Sequence, residues 1–337
     1  MEARWVISIY IGHHTKNKCG LKLTSFTSHV NATCLSKGLP LKERLVKSIV
    51  RTIHTGTTNQ LGYYLAGFIE GDGSIILRQG EREKISPKIV FTFGKNENSM
   101  YEKLQKTLNT GVIYSEKKGV CRYSITNADE VINTINLVNG KFRTPKILAL
   151  YKAIDNLNMW RNANIVKLPL DTSSIDSNAW LAGFMDADGH FSIKLTGEYV
   201  SDDIVTRGRV QCVFSINQSE LNRVTRESNV PFMTQLAKFF QVNLNYKVGN
   251  SPSFKEPAKS IVFFAQSDRK HYIITTYLTK FPLMSSKYLN YLSFFEGLSF
   301  LGKRLTREEI LKIRAIKSSM NNSRAYYNWD HLNNFYS

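Results

Sequence analysis

The stretch Leu65-Ala66-Gly67-Phe68-Ile69-Glu70-Gly71-Asp72-Gly73 returns as Leu181-Ala182-Gly183-Phe184-Met185-Asp186-Ala187-Asp188-Gly189. Six of the nine positions are identical, and Asp188 follows Asp72 by 116 positions. That spacing is too long for a solenoid period and divides the chain into two related half-domains. Leu61, Leu65 and Phe68 lie at helical spacing, so a helix is predicted from Gln60 to about Gly71, with Asn59 as its cap. Ala66 and Gly67 leave one face narrow, and Gly73 can turn the chain out of the helix.

Outward from the first copy, strands are predicted at Ser74–Gln79 and Lys88–Phe93 around a charged loop. A helix over Glu97–Leu108, strands at Val112–Ser115 and Val120–Thr126, an Asn127-capped helix to Leu137 and a helix over Pro145–Leu157 follow. Residues 158–177 read as a linker. Ser177 is expected to cap the second motif helix, after which the order repeats: strands His190–Lys194 and Arg207–Ile216, helix Met233–Phe240, strand Ser260–Ala265, helices Arg269–Leu278 and Leu283–Phe295. Each half reads α-β-β-α-β-β-α, an α+β class with antiparallel sheets that keep one face free. The implied units are 59–157 and 178–296. Residues 297–337 form a basic C-terminal helix and tail, opened by a Thr306/Glu309 capping box. Residues 1–58 contain only two acids, Glu2 and Glu43, and read either as a targeting segment or as an extension without a folded core.

The chain has 337 residues, 42% of them hydrophobic, enough for two half-domain cores. No apolar run is long enough to cross a bilayer. Forty-five basic residues stand against 27 acidic ones, a net charge of +18, which points to a polyanion such as nucleic acid. The four cysteines are scattered without a C-x-x-C pair, which suggests neither a disulfide framework nor a zinc site.

Asp72 and Asp188 each fall at the C-terminal end of a predicted helix, where the dipole is negative and an acid needs a cation to answer it. If the two narrow helix faces pack, both carboxylates reach one place and repel, and a divalent ion is the usual remedy. Sparse oxygen ligands favour Mg²⁺ or Mn²⁺, completed by water and phosphate. A calcium loop is excluded, because Phe191 and Ile75 stand where such a loop needs glycine.

The paired nine-residue segments resemble the two motifs of the LAGLIDADG homing endonucleases in their single-chain, two-repeat form. The segments Phe142–Lys146 and Phe281–Lys287 are similar to those that open the last helix of each repeat. The resemblance implies two pseudo-symmetric half-domains joined at a two-helix interface (Ala66, Gly67, Ala182, Gly183), with sheets forming a DNA-binding saddle. It implies metal ligation by Asp72 and Asp188 and by the carbonyls of Gly71 and Ala187, while Glu70 and Asp186 support helix ends. One phosphodiester on each strand would be hydrolysed. Lys95 and Gln218, matched at the ends of the second strands, would order water and the scissile phosphate. Lys146 and Lys287 would do the same, or else serve as exposed phosphate contacts.

Strand alternation predicts the reading face. In Arg207–Ile216, Arg207, Arg209, Gln211, Val213 and Ser215 point away from the apolar set. In the first repeat Lys88, Val90 and Thr92 point outward, with Ile76, Arg78 and Arg82. Ser192, Lys194 and Thr196 complete the second face. The expected partner is double-stranded DNA with a long asymmetric site, bound by a monomer, the product being an intron-encoded nuclease. The alternative is an RNA maturase acting on its host intron. Asn-, Lys-, Ile- and Tyr-rich usage points to an AT-rich organelle genome, a mitochondrion.

Overall fold

The computed structural model describes residues 60–77, 86–116, 119–197, 208–222, 224–249 and 258–336. Asn59, Arg78, Arg82 and Arg207 lie outside the described residues, as does the segment 1–58. The first repeat runs α1 (Gln60–Gly71), β1 (Gly73–Ile76), β2 (Lys88–Gly94), α2 (Asn98–Leu108), β3 (Val112–Ser115), β4 (Val120–Ile125), α3 (Ala128–Val138) and α4 (Ile147–Arg161). The second runs α5 (Trp180–Asp188), β5 (Gly189–Thr196), β6 (Arg209–Ser219), α6 (Val230–Phe240), β7 (Asn245–Gly249), β8 (Ala258–Ala265), α7 (Asp268–Lys280) and α8 (Lys287–Gly297). A last helix, α9 (Arg307–Ser318), carries the expected Thr306/Glu309 capping box.

Each sheet is antiparallel, in the orders β1-β2-β4-β3 and β5-β6-β8-β7. Helices cover one face of each. Phe91, Tyr123, Phe214 and Phe263 on that face are fully buried. Phe68 of α1 stacks on Phe91 at 5.2 Å, and Phe184 of α5 meets Phe232 edge-on at 5.4 Å, so each motif phenylalanine anchors its helix to its own repeat. Burial of each such ring contributes roughly 1.5–3 kcal/mol.

The two repeats meet along α1 and α5. A Cβ added to Gly67 would lie 2.0 Å from the Trp180 carbonyl oxygen, and one added to Gly183 would lie 1.9 Å from that of Tyr64. Tyr64 precedes Gly67 by three residues, as Trp180 precedes Gly183, so the contact is the same in both directions. The backbones approach this closely because these positions lack side chains.

Several expectations need correcting. Ser177 does not cap α5: its hydroxyl donates to the Ser174 carbonyl, while the Asn178 side chain accepts from the Trp180 N–H at 3.1 Å. Gln60 of α1 accepts the Ala179 N–H at 2.9 Å, so the start of α5 is capped partly from the other repeat. The α-β-β-α-β-β-α order implies a strand in the place of β7, but the sequence pattern assigns no residues to it. Val90 and Val213 have outward parity yet are buried, at 6% and 3% exposure; Val90 lies between β1 and β4, and Val213 pairs with Ser192 of β5 just before the β8 ladder begins at Phe214. The helix expected from Pro145 begins at Ile147 and continues to Arg161. The segment after it is tied down: Asn139 donates to the Val166 carbonyl at 2.7 Å, and Arg143 pairs with Asp171 at 2.5 Å.

Candidate active site at the paired motif ends

The α1/α5 contact delivers both motif ends to one place. Gly71 packs on Ala187, and a Cβ on Gly71 would lie 2.9 Å from Asp188 Oδ2. Asp72 sits one residue past the end of α1, exposed at the mouth of a recess walled by Phe68, Tyr101 and Lys287, whereas Asp188 closes α5 and is half-buried. Desolvation by the surrounding walls, with repulsion from Asp188, pushes the Asp72 carboxyl up to about 7. Burial also raises Asp188, against the pull of Lys287 and Gln218. Two acids that resist ionising side by side suit a divalent cation. Among the described residues no group of three or more His, Cys, Asp or Glu forms a metal cage. The oxygen donors expected to hold such a cation, the two carboxylates and the carbonyls of Gly71 and Ala187, lie at the two motif ends.

The lysines answer the negative helix ends. Lys146 Nζ donates to the carbonyls of Ile69 (2.9 Å), Gly71 (3.3 Å) and Gly73 (2.9 Å). Lys287 Nζ donates to the Ala187 carbonyl. Neither is an outlying surface lysine, and burial lowers the pKa of Lys146. Both carbonyls expected to hold metal thus already accept from an ammonium group, and a carbonyl oxygen has two lone pairs.

Glu70 and Asp186 place these lysines. Glu70 accepts the backbone N–H groups of Arg143 (3.0 Å) and Thr144 (2.6 Å) and the Trp180 indole N–H (2.6 Å). Asp186 accepts those of Met284 (2.6 Å) and Ser285 (3.1 Å), with the Tyr64 hydroxyl at 2.8 Å. The motif's first acid therefore fixes the segment entering α4 or α8, and also grips the opposite motif helix. This agrees with the supporting role expected of both.

Gln218 and Lys95 are not equivalent. Gly73 pairs with Phe91 and Gly189 with Ile216, so the residue matching Gln218 is Phe93, two positions before Lys95. Gln218 Nε2 donates to Asp188 Oδ2 at 2.7 Å. Lys95 is exposed on the 3-10 turn after β2. Sequence reasoning missed other neighbours. A cleft of about 800 Å³ beside Asp188 is lined by Lys287, His190, Glu97, Asn96, Asn321 and Tyr327. Glu97 Oε2 accepts the Ser286 N–H at 3.0 Å, reaching from the first repeat to the start of α8. Partial burial and the Lys287 charge lower the pKa of His190. Asn321 and Tyr327 come from the tail, and no local pattern announces them.

Lys88, Thr92, Lys194, Arg209, Gln211 and Ser215 all fall on the face opposite the helices, exposed or half-exposed, as strand parity predicted.

The profile of the LAGLIDADG endonucleases matches residues 65–156 and 181–297. The chain belongs to the LAGLIDADG endonuclease family. Within the family it is 28% identical, over 82% of its length and 74% of the relative's, to the intron-encoded DNA endonuclease aI3 of Saccharomyces cerevisiae. It is 24% identical, over 64% of its length and 36% of the relative's, to the intron-encoded RNA maturase bI4 of the same yeast. The LAGLIDADG fold is shared with the DNA-bound meganuclease I-SmaMI, at TM-score 0.56 and 19% identity over 78% of this chain and 97% of that one.

Proposed function

We propose that this LAGLIDADG protein is a monomeric, sequence-specific double-strand DNA endonuclease that serves intron homing. One observation carries the reading: two aspartates, one per repeat, converge at the shared end of paired helices, each followed directly by a strand of a sheet with a free face. Asp72 and Asp188, with the carbonyls of Gly71 and Ala187, would hold Mg²⁺ or Mn²⁺. Such an ion supplies positive charge at a scissile phosphate and a more acidic bound water. The chain's own residues perform the remaining tasks. Gln218 fixes the rotamer of Asp188. Lys146 and Lys287 offset the negative helix ends and keep the carboxylates from being expelled. Lys88, Thr92, Lys194, Arg209, Gln211 and Ser215, with Arg78, Arg82 and Arg207, contact the duplex. The mitochondrion is the proposed compartment, in line with the Asn-, Lys-, Ile- and Tyr-rich amino-acid usage and the intron-encoded yeast relatives.

Similarity to the bI4 maturase supports a second reading, RNA binding that assists splicing of the host intron. The deciding experiment is incubation with a plasmid carrying the intronless host allele and Mg²⁺. The expected result is linearisation that a chelator stops. No cutting, together with tight intron-RNA binding and faster splicing, would sink the nuclease reading.

A further inference from the structure

The free faces of the two sheets differ in chemistry. In the first repeat, register places Ser74, Val90, Ser124 and Val112 in one row, with Ile76 beside Lys88 and Tyr114 beside Arg122. Ile76, Val112 and Tyr114 are large apolar groups left 37%, 61% and 42% exposed. Val90 forms an apolar floor between them. Arg122, one of two cations on the described part of this face, is engaged by Glu116 at 3.1 Å. The second repeat presents Lys194 opposite Gln211, Arg209 opposite Thr196, and Asn217 and Asn245 flanking Val262.

Base edges in the major groove offer hydrogen-bond groups at every pair, but an apolar handle only at the thymine C5-methyl. An exposed valine or isoleucine gains nothing from a guanine or cytosine edge and would strand that edge's polar atoms without partners, whereas Tyr114 offers a thymine methyl its ring. Resting on the DNA-cutting reading, we infer that the two repeats read half-sites by different chemistry. The first repeat selects a thymine-rich half through methyl contacts made by Ile76, Val112 and Tyr114. The second selects guanine- and adenine-containing steps through hydrogen bonds from Arg209, Gln211 and Lys194. The net charge of +18 supplies the sequence-independent attraction that holds an apolar face against a polyanion.

The experiment selects cleaved sequences from a randomised duplex library, then replaces thymine by deoxyuridine, which removes only the methyl, in one half-site at a time. The half read by the second repeat is identified separately, as the half whose selected bases change in Arg209→Ala. In the other half each deoxyuridine at a contact should weaken binding about fourfold, the worth of one buried methyl. The Arg209-dependent half should change less than twofold. Val112→Ser, which removes both γ-methyls at a position 61% exposed, should erase the penalty at one position without loss of folding. Equal penalties in both halves, or a first-repeat half without selected thymines, overturns the inference while leaving the nuclease reading intact. A library from which nothing is cut overturns both.

Discussion

The two repeats are near-copies where they touch each other and strangers where they face away. Gly67 lies on Trp180 as Gly183 lies on Tyr64. Glu70 holds Arg143 and Thr144 as Asp186 holds Met284 and Ser285. Lys146 and Lys287 cap matching helix ends. On the free faces the likeness stops: Ser74 stands in the place of His190 and Val90 in that of Ser215, and near the site Phe93 takes the place of Gln218. Close packing of two helices tolerates little change, because each glycine must fit the other repeat's backbone. A sheet face that meets an external partner has no such internal constraint, so the halves diverge there.

The shared frame can be broken at its buried acids. Glu70→Ala leaves two backbone N–H groups and an indole N–H unpaired in the interior, and Asp186→Ala orphans two backbone N–H groups with the hydroxyls of Tyr64 and Ser285. Each should cost about 3–5 kcal/mol in denaturant unfolding. A marked inequality between the two would show that the pseudo-symmetry is not energetic. Next in size, Gly67→Ala and Gly183→Ala push a Cβ into a carbonyl and should each cost about 3 kcal/mol, read as a lowered thermal midpoint. If either is tolerated within a few tenths of a kcal/mol, the helices do not approach as closely as described.

Much of this frame was legible in the sequence, because the motif is local and doubled. Helix spacing marked α1, parity sorted Lys194 from Ile193, and Thr306 with Glu309 marked α9. What escaped depends on distant partners or on absent patterns. All five residues of β7 are exposed, and although Asn245-Tyr246-Lys247-Val248 alternates polar with apolar, so short a run before a long loop does not by itself mark a strand. Lys95 looked equivalent to Gln218 by counting from strand ends, yet the register offset of two places it on a turn. Glu97 enters the site only because α8 of the other repeat abuts it. The tail is similar: Phe335 and Tyr336 pack on Tyr64 of α1, at ring distances of 6.0 and 5.0 Å, across a separation no sequence window spans.

That tail has no counterpart in the first repeat and gives the smallest expected effect. His331 stacks on Tyr288 at 4.4 Å and donates from Nε2 to the Met284 carbonyl at 3.0 Å. Burial lowers its pKa, so the folded state binds fewer protons than the unfolded chain. Its stabilising share is present at neutral and higher pH and is lost as pH falls through the ordinary histidine range. His331→Phe should flatten that portion of the stability–pH curve. An unchanged curve would remove His331 as its source.

The most direct measurement compares Asp72→Asn and Asp188→Asn on supercoiled plasmid carrying the intact site, scoring binding, nicking and linearisation separately. Each substitution should leave DNA binding in place and abolish linearisation, because each strand's cut depends on acids brought together from both repeats. If either variant linearises the plasmid at the parental rate, that aspartate is outside the active site and the convergence of the two motif ends does not make the nuclease.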